Sequence, residues 1–407
     1  MRWFYGILLG TALSSFSGGD TALSPLPAAA STGNVSRVNG LGLAPQSLAR
    51  RATEYPCTAI YSFGATRTDG LYPQAGLIAL NGTLYGTTYE GGRYGKGTVF
   101  AVSPRGAERV LHQFGGPSDG ANPQAALIEV GGLLFGTTYD GGTDNRGTVF
   151  EIGIDGGEKI IHSFSKSASD GANPQAELLA IDGVLYGTTD AGGAHEAGTV
   201  FAVSTAGAER VLYSFGRTHA DGANPQAALT NVSGALVGTT YAGGVNGAGT
   251  VFALNMSGAE KVLYNFGQTP TDAANPQAGL LDVNGVLYGT TQQGGVNGLG
   301  TIFALSRSGV ERVEHSFGGA SDGQLPAAGL IDISGKLYGT TYQGGARNLG
   351  TVFAFRPGGT ESVLYSFTGP AGKYPQAGLT AMGASLYGTT FDGGANIYYG
   401  AVFALTL

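Results

Sequence analysis

Glutamine and aspartate recur along the chain at an even spacing, and both side chains can hold a polar ligand or a cation. Amide and carboxylate oxygens are the ligands that hard cations prefer. Both sets therefore predict a polar, mildly acidic site, provided that the fold gathers them around one channel mouth. The simpler alternatives are hydrogen bonds between glutamines of neighbouring repeats and local turn capping by the aspartates. The glutamines are Gln74, Gln124, Gln175, Gln226, Gln277 and Gln376, and the aspartates, expected at the rim, are Asp69, Asp119, Asp170, Asp221, Asp272 and Asp322.

The five histidines do not form a catalytic or metal-binding group in the sequence. His112, His162 and His315 occupy a repeat position that is Tyr in the other units, so they are predicted to be aromatic equivalents that never meet. His195 and His219 lie in separate loops without ligand-like spacing. An enzyme normally concentrates an acid, a base or a nucleophile in one place, and no unit does so. We therefore expect no catalytic residue, no metal ligand and no cofactor.

A Gly-Gly segment varies more between units than any other part of the repeat, from EGGRYGKG to DGGANIYYG. Variable loops on a rigid scaffold commonly carry binding specificity. We expect this segment to form a polar and aromatic face suited to proteins or glycans. Its candidate residues are Arg93, Tyr94, Asp144, Asn145, Arg146, Arg347, Asn348, Tyr398 and Tyr399.

The elements that must position these residues follow from the repeat itself. Seven prolines that precede the recurrent Gln-Ala pair or its equivalent lie 49 to 51 residues apart, which demands a repeat architecture. Each unit holds four strand-like runs, for example 123–130, 133–139, 147–153 and 158–164, separated by Gly-containing turns. Four short antiparallel strands per repeat describe a propeller blade.

The ends of the chain favour a closed ring. The last unit stops after its third run, at 400–407, and a matching fourth run stands at 59–63 near the N-terminus. The sequence therefore predicts an all-β, seven-bladed β-propeller with four antiparallel strands per blade, in which the N-terminal strand completes the last blade. A β-solenoid is the alternative, although such a stack would need polar caps at its ends.

Two recurrent phrases are predicted to serve the scaffold. In LYGTT, at 84–88, the aromatic residue is replaced once by Val237, so we expect it to fill space between blades. The invariant Gly beside it indicates the close approach of a neighbouring ring or backbone. Most fourth runs begin with Glu-Arg or Glu-Lys, as at 108–109. These charges are interpreted as a solvated edge that discourages pairing with other chains.

Composition excludes some partners. Charged residues make up only 12% of the chain and glycine contributes 73 positions, which is typical of strands joined by tight turns. A net charge of −7 without a basic cluster argues against nucleic acid, because phosphate contacts need grouped Lys and Arg. Cys57 is the single cysteine, so no intramolecular disulfide can form.

The N-terminal residues are typical of an exported protein. An apolar run from Trp3 to Leu13 is too short to span a bilayer comfortably and is followed by small residues. We expect a signal peptide or short anchor at 1–24, a flexible linker at 25–56 and the propeller at 57–407, with no membrane span in the mature chain.

Several phrases together resemble a known family. PQAALI, LYGTT, GTVF and GAERVLYSF are similar to the tandem GloVer (Gloeo/Verruco) repeat of bacterial exported proteins with varied anchors, over about residues 59–407. The resemblance implies export and no common biochemical activity. We therefore expect a monomeric, secreted or cell-envelope binding or scaffold module without enzymatic activity. Its partner would be an extracellular or envelope protein or glycan. The alternatives are a multivalent, lectin-like glycan binder and a hydrolase or lyase acting on polysaccharide.

Overall fold

The computed structural model describes residues 55–407. The predicted signal peptide or anchor at 1–24, and the linker up to residue 54, lie outside the described residues. Within 55–407 the regular structure is β-strand, and no helix is present that could span a membrane. Two residues at the end of the predicted linker are already hydrogen-bonded to the propeller. Tyr55 N–H donates to Leu364 O (3.2 Å), and Thr406 N–H donates to Pro56 O (3.0 Å).

Seven antiparallel sheets of four strands form the blades, which confirms the predicted fold class. The first strands are Ile78–Leu80, Ile128–Val130, Leu179–Ile181, Thr230–Val232, Leu281–Val283, Ile331–Ile333 and Thr380–Met382. The second strands are Thr83–Thr88, Leu133–Thr138, Val184–Thr189, Ala235–Thr240, Val286–Thr291, Lys336–Thr341 and Ser385–Thr390. The third strands are Thr98–Val102, Thr148–Ile152, Thr199–Ser204, Thr250–Leu254, Thr301–Ser306, Thr351–Phe355 and Ala401–Thr406. The fourth strands are Glu108–Gln113, Glu158–Ser163, Glu209–Ser214, Glu260–Asn265, Glu311–Ser316, Glu361–Ser366 and, for the seventh blade, Cys57–Ser62.

A short two-stranded ladder accompanies each of six blades and ties the turn before the first strand to the loop after the second strand. These ladders pair Gly70–Leu71 with Glu90–Gly91, Gly120–Ala121 with Asp140–Gly141, Gly171–Ala172 with Ala191–Gly192, Gly222–Ala223 with Ala242–Gly243, Ala273–Ala274 with Gln293–Gly294, and Gly323–Gln324 with Gln343–Gly344. In the seventh blade a single bridge, between Lys373 and Asp392, replaces the ladder. The turns and the loops between second and third strands therefore share one face of the ring, which we call the upper face.

The ring closes through the N-terminal strand. Cys57–Ser62 pairs antiparallel with Ala401–Thr406, so the chain's first described strand is the outermost strand of its last blade. At the inner side, Thr389 Oγ1 of the seventh blade donates to Ala75 O of the first (2.9 Å). The corresponding threonine makes the same bond at every other junction, as from Thr87 to Ala125 O (3.1 Å). The first threonine of each LYGTT phrase thus links two neighbouring blades by a hydrogen bond.

Phenylalanine pairs fill the space between blades. A Phe after each fourth strand meets a Phe of the next blade's third strand edge-to-face, as Phe215 meets Phe252 with ring centroids 5.0 Å apart. The aromatic residue of LYGTT is buried in the same junctions, and Val237 replaces it there without loss of burial. The invariant Gly makes room for the ring: a Cβ on Gly238 would lie 2.7 Å from Phe252 Cζ. The packing role predicted for this phrase therefore matches the structure.

Candidate functional site

The recurrent aspartates lie beside the outermost strands, and they are largely buried. Asp221 Oδ1 accepts from Gly222 N–H (2.8 Å), while its Oδ2 accepts from Arg217 N–H and from the Tyr213 hydroxyl, both at 3.0 Å. The carboxylate therefore caps its own turn, as the simpler alternative expected, and also binds a fourth-strand side chain. These residues therefore do not form an acidic rim at the channel mouth. Their carboxylate oxygens instead accept hydrogen bonds between the outer parts of neighbouring blades.

A third residue completes each of these clusters. The glutamate that begins the next blade's fourth strand approaches the same pair, as Glu260 Oε2 lies 3.5 Å from the Tyr213 hydroxyl and Glu311 Oε2 lies 3.4 Å from that of Tyr264. The six clusters are Tyr61–Asp69–Glu108, His112–Asp119–Glu158, His162–Asp170–Glu209, Tyr213–Asp221–Glu260, Tyr264–Asp272–Glu311 and His315–Asp322–Glu361. We call them the junction triads.

The glutamates that begin the fourth strands are not part of a fully solvated edge, contrary to the prediction from the sequence. In Glu260-Lys261 the lysine is exposed, whereas the glutamate is half-buried. In all six junction triads the glutamate Oε1 is sealed from solvent and has no hydrogen-bond partner among the described residues. Burial raises the pKa of each of these glutamates to about 7. Close to neutral pH, therefore, each of these carboxyl groups is partly protonated.

The seventh junction breaks the pattern. Ala371 stands where the aspartate would be, and Cys57 stands where the glutamate would be. Both pack with Leu364 and Tyr365 in a hydrophobic cluster, and burial raises the pKa of the Cys57 thiol to about 12. A surface pocket of about 900 Å³ lies over this junction. The ring therefore tolerates an apolar junction, which indicates that the triads are not needed at every position for closure.

Replacing Glu311 by Gln is expected to stabilise the protein at alkaline pH. The folded-state pKa of about 7 lies above the ordinary value near 4.3, so stability is full below the ordinary value and falls as pH rises through about 7. The neutral amide removes that loss. We expect a gain of up to about 1 kcal/mol at pH 8 and little change at pH 5, discounted because the group is partly solvated. Thermal unfolding of both proteins at pH 5 and pH 8 measures the change in stability. An equal change at the two pH values would contradict the titration of Glu311.

The glutamines form a different layer, nearer to the axis. Gln226 Nε2 donates to Asp190 Oδ1 (3.0 Å), and Gln277 Nε2 lies 3.5 Å from Gln226 Oε1. At least part of the glutamine set therefore bonds between repeats, as the simpler alternative proposed. The predicted combination of glutamines and aspartates in one site does not occur, because the aspartates lie beside the outer strands.

Sequence reasoning missed one charged residue of the channel. Two positions after every glutamine but Gln175 the residue is Gly or Ala, and a Cβ on Gly76 would lie 3.6 Å from Gly378 O and 3.7 Å from Ala126 Cβ. These positions therefore converge around the axis. Glu177 occupies this position in the third blade, where it is solvent-accessible although protein surrounds it closely. Desolvation raises its pKa to about 7. The phrase PQAEL, which differs from the other units at this position alone, was the available signal.

The predicted loop residues differ in their contacts and in their exposure. Asn145 Oδ1 and Asn348 Oδ1 accept from backbone N–H groups within their own loops, at 3.1 and 2.9 Å. The Tyr399 ring packs against Gly64. Other members bridge segments: Asp144 Oδ2 accepts from Lys166 N–H (3.0 Å), and Arg146 lies 3.7 Å from Glu196 of the next blade. The exposed members are Arg93, Tyr94, Arg347 and Tyr398, together with the two asparagines.

A family assignment follows from the repeat. The sequence model of the Gloeobacter/Verrucomicrobia repeat matches residues 48–252 and again 216–403, which together span nearly the whole chain. The chain belongs to this repeat family. The resemblance noted from the phrases is thereby confirmed. Among curated proteins, none matches the chain.

Solved structures share the fold at low identity. A puromycin-hydrolysing peptidase from Mycobacterium tuberculosis is 13% identical with a TM-score of 0.51, and the match covers 87% of this chain and 55% of the peptidase. A puromycin hydrolase variant is 14% identical with a TM-score of 0.50, covering 78% of this chain and 50% of that one. A gluconolactonase from Xanthomonas campestris is 13% identical with a TM-score of 0.43, covering 74% and 90%. Because the identities are 13–14%, the likeness shows the fold alone, and the chain spans about half the length of the two puromycin-hydrolysing proteins.

Proposed function

We propose that this repeat-family propeller is an exported binding module that contacts its partner through the upper face of the ring. The distribution of exposed apolar side chains carries the proposal. Five of the nine large hydrophobic residues exposed within 55–407 lie in the loops between second and third strands, on the upper face. They are Tyr94, Val245, Val296, Ile397 and Tyr398. Exposed apolar groups gathered on one face are typical of interaction surfaces.

Binding is favoured over catalysis because the repeated polar groups are used to hold the blades together. The junction triads recur at six junctions, and the threonine bonds recur at all seven. A catalytic site would instead bring an acid, a base and a nucleophile together at one place. Export rests on the N-terminal pattern at 1–24. The proposed location is therefore the cell surface or the exterior of a bacterium.

A glycan partner is a second candidate, supported by aromatic pairs on the same face. Tyr72 stacks on Phe391 with ring centroids 5.0 Å apart, and Tyr374 lies 5.2 Å from Tyr342. These rings are half-buried, and the amide of Gln376 contacts Tyr342. Flat aromatic surfaces beside amide groups can hold the apolar and polar sides of a sugar together.

A paired loop variant tests the proposal. The full chain is screened against a glycan array and against extracted envelope proteins, and the best ligand is titrated. We expect Tyr94→Ser combined with Tyr398→Ser to weaken binding at least ten-fold, equivalent to about 1.4 kcal/mol. The control is Val310→Ser, an equally exposed residue in a turn between third and fourth strands, on the opposite face. Binding lost equally in the control, or turnover of the ligand, would contradict the proposed function.

A further inference from the structure

We infer that His162, Asp170 and Glu209 form a binding site for a divalent first-row transition metal ion, with Zn²⁺ as the reference ion. Each residue offers one ligand atom, and the three atoms all lie within 4.8 Å of one another. One imidazole nitrogen with two carboxylate oxygens is a ligand set that zinc accepts, with a water molecule in the fourth position. The nitrogen favours a transition metal over Mg²⁺ or Ca²⁺, which prefer oxygen ligands.

The histidine of this junction triad differs from the histidines of the other two. His112 Nε2 and His315 Nε2 each lie 3.1 Å from an aspartate Oδ2, at hydrogen-bond distance. His162 Nε2 lies 3.6 Å from Asp170 Oδ1, a longer contact than in the other two triads, and the nitrogen is sealed from solvent. A buried nitrogen with only this long contact is poorly compensated for its lost contact with water. A metal ion would satisfy it.

Ser165 explains why this junction triad differs. In five other junctions a glycine follows the buried phenylalanine, as at Gly115 and Gly318, whereas Ser165 stands here. Its hydroxyl and its N–H both donate to Asp170 Oδ2, at 2.9 and 2.8 Å. The oxygen that binds histidine in the other two triads is thus already occupied. The same bonds orient the Asp170 carboxylate, as outer-shell donors do in metal sites.

Glu209 supplies the third ligand atom. Its Oε1 is also sealed from solvent and without a hydrogen-bond partner among the described residues. In a tetrahedral zinc site with bonds of about 2.1 Å, ligand atoms lie about 3.4 Å apart, so the cluster closes with a movement of about 1 Å. A divalent cation also offsets the charge of two neighbouring carboxylates in a desolvated junction. The imidazole is partly exposed on its other side, which leaves a path for entry.

The chain provides its own control substitution. Tyrosine occupies the position of His162 at Tyr61, Tyr213 and Tyr264, so His162→Tyr is compatible with the fold. The full chain, without a histidine tag and treated with chelator, is titrated with Zn²⁺ by calorimetry and with Co²⁺ by visible absorption. We expect one equivalent to bind, with affinity reduced at least ten-fold in His162→Tyr and unchanged in His112→Tyr. Zn²⁺ should also raise the melting temperature of the unmodified protein but not of His162→Tyr.

Specific outcomes would overturn the metal site. They are no binding by the unmodified protein at 100 equivalents of Zn²⁺, undiminished binding by His162→Tyr, or an equal loss in His112→Tyr. A second variant, Ser165→Gly, frees Asp170 Oδ2 for the histidine and should weaken binding while leaving all three ligands in place. Unchanged affinity in that variant would contradict the role given to Ser165.

Discussion

A chain that begins at Gly64 is expected to lose the single cooperative unfolding transition of a chain that begins at Tyr55. The shorter chain lacks the strand Cys57–Ser62, which pairs with Ala401–Thr406 as the outermost strand of the seventh blade. It also lacks Phe63, which is fully buried and lies 5.0 Å from the ring of Phe100 in the first blade. The loss therefore affects two blades at once, because it opens a strand edge in one and uncovers an aromatic ring in the other.

The comparison isolates the closing strand because both chains lack residues 1–54. Differential scanning calorimetry and size-exclusion chromatography measure the result. The shorter chain should unfold at lower temperature in a broad transition and form aggregates through its open edge. A peptide covering residues 55–63, added in excess, should restore part of the lost stability by mass action. A sharp transition at the same temperature in both chains would show that the ring closes without this strand.

The ring could be predicted from the sequence because its determinants are local and repeated. The Asn-Gly and Asp-Gly turns lie within one unit, and the spacing of the prolines and the offset between 59–63 and 400–407 can be read directly along the chain. The exception at Val237 also allowed the packing role of the LYGTT phrase to be inferred, since only an apolar shape is retained there. Local patterns of this kind survive without knowledge of tertiary contacts.

The junction triads could not be predicted because each joins three segments from two blades. Tyr264 and Glu311 are 47 residues apart and meet only when the ring forms. A strand that begins Glu-Arg places one side chain on each face, and the sequence does not tell which face meets the neighbouring blade. One signal was present: Glu361 is followed by Ser362, so the glutamate is kept where the basic residue is lost.

A few positions depart from the repeat and distinguish individual blades. Features that recur at every junction, such as the threonine bonds, are explained by the construction of the ring. Ser165, Glu177 and Cys57 are each different from their counterparts in the other units. They lie, respectively, at a junction triad with unsatisfied ligand atoms, in the central channel and at the apolar seventh junction. A symmetric scaffold with a few distinct positions is more consistent with selective binding than with a ring of identical sites.

Phe215→Ala is expected to cost about 3–5 kcal/mol of unfolding free energy, the range measured for truncation of a buried Phe. Phe215 is fully buried between the third and fourth blades, edge-to-face with Phe252 and packed with Leu229 and Leu236. Truncation to Ala removes apolar area and leaves a cavity, because the flanking strands are fixed by their ladders on both sides. The midpoint of chemical denaturation measures the change.

Two further variants separate the causes of that loss. Phe215→Leu keeps most of the side-chain volume and should cost under about 1.5 kcal/mol, since volume-conserving changes in a core are tolerated. Tyr94→Ala, at an exposed aromatic residue, should stay within about 0.5 kcal/mol of the unmodified protein. Equal losses in the Leu and Ala variants would assign the stabilisation to the edge-to-face contact rather than to filled volume. A loss below about 1 kcal/mol in Phe215→Ala would mean that the blades relax to fill the space, against the rigid junction described above.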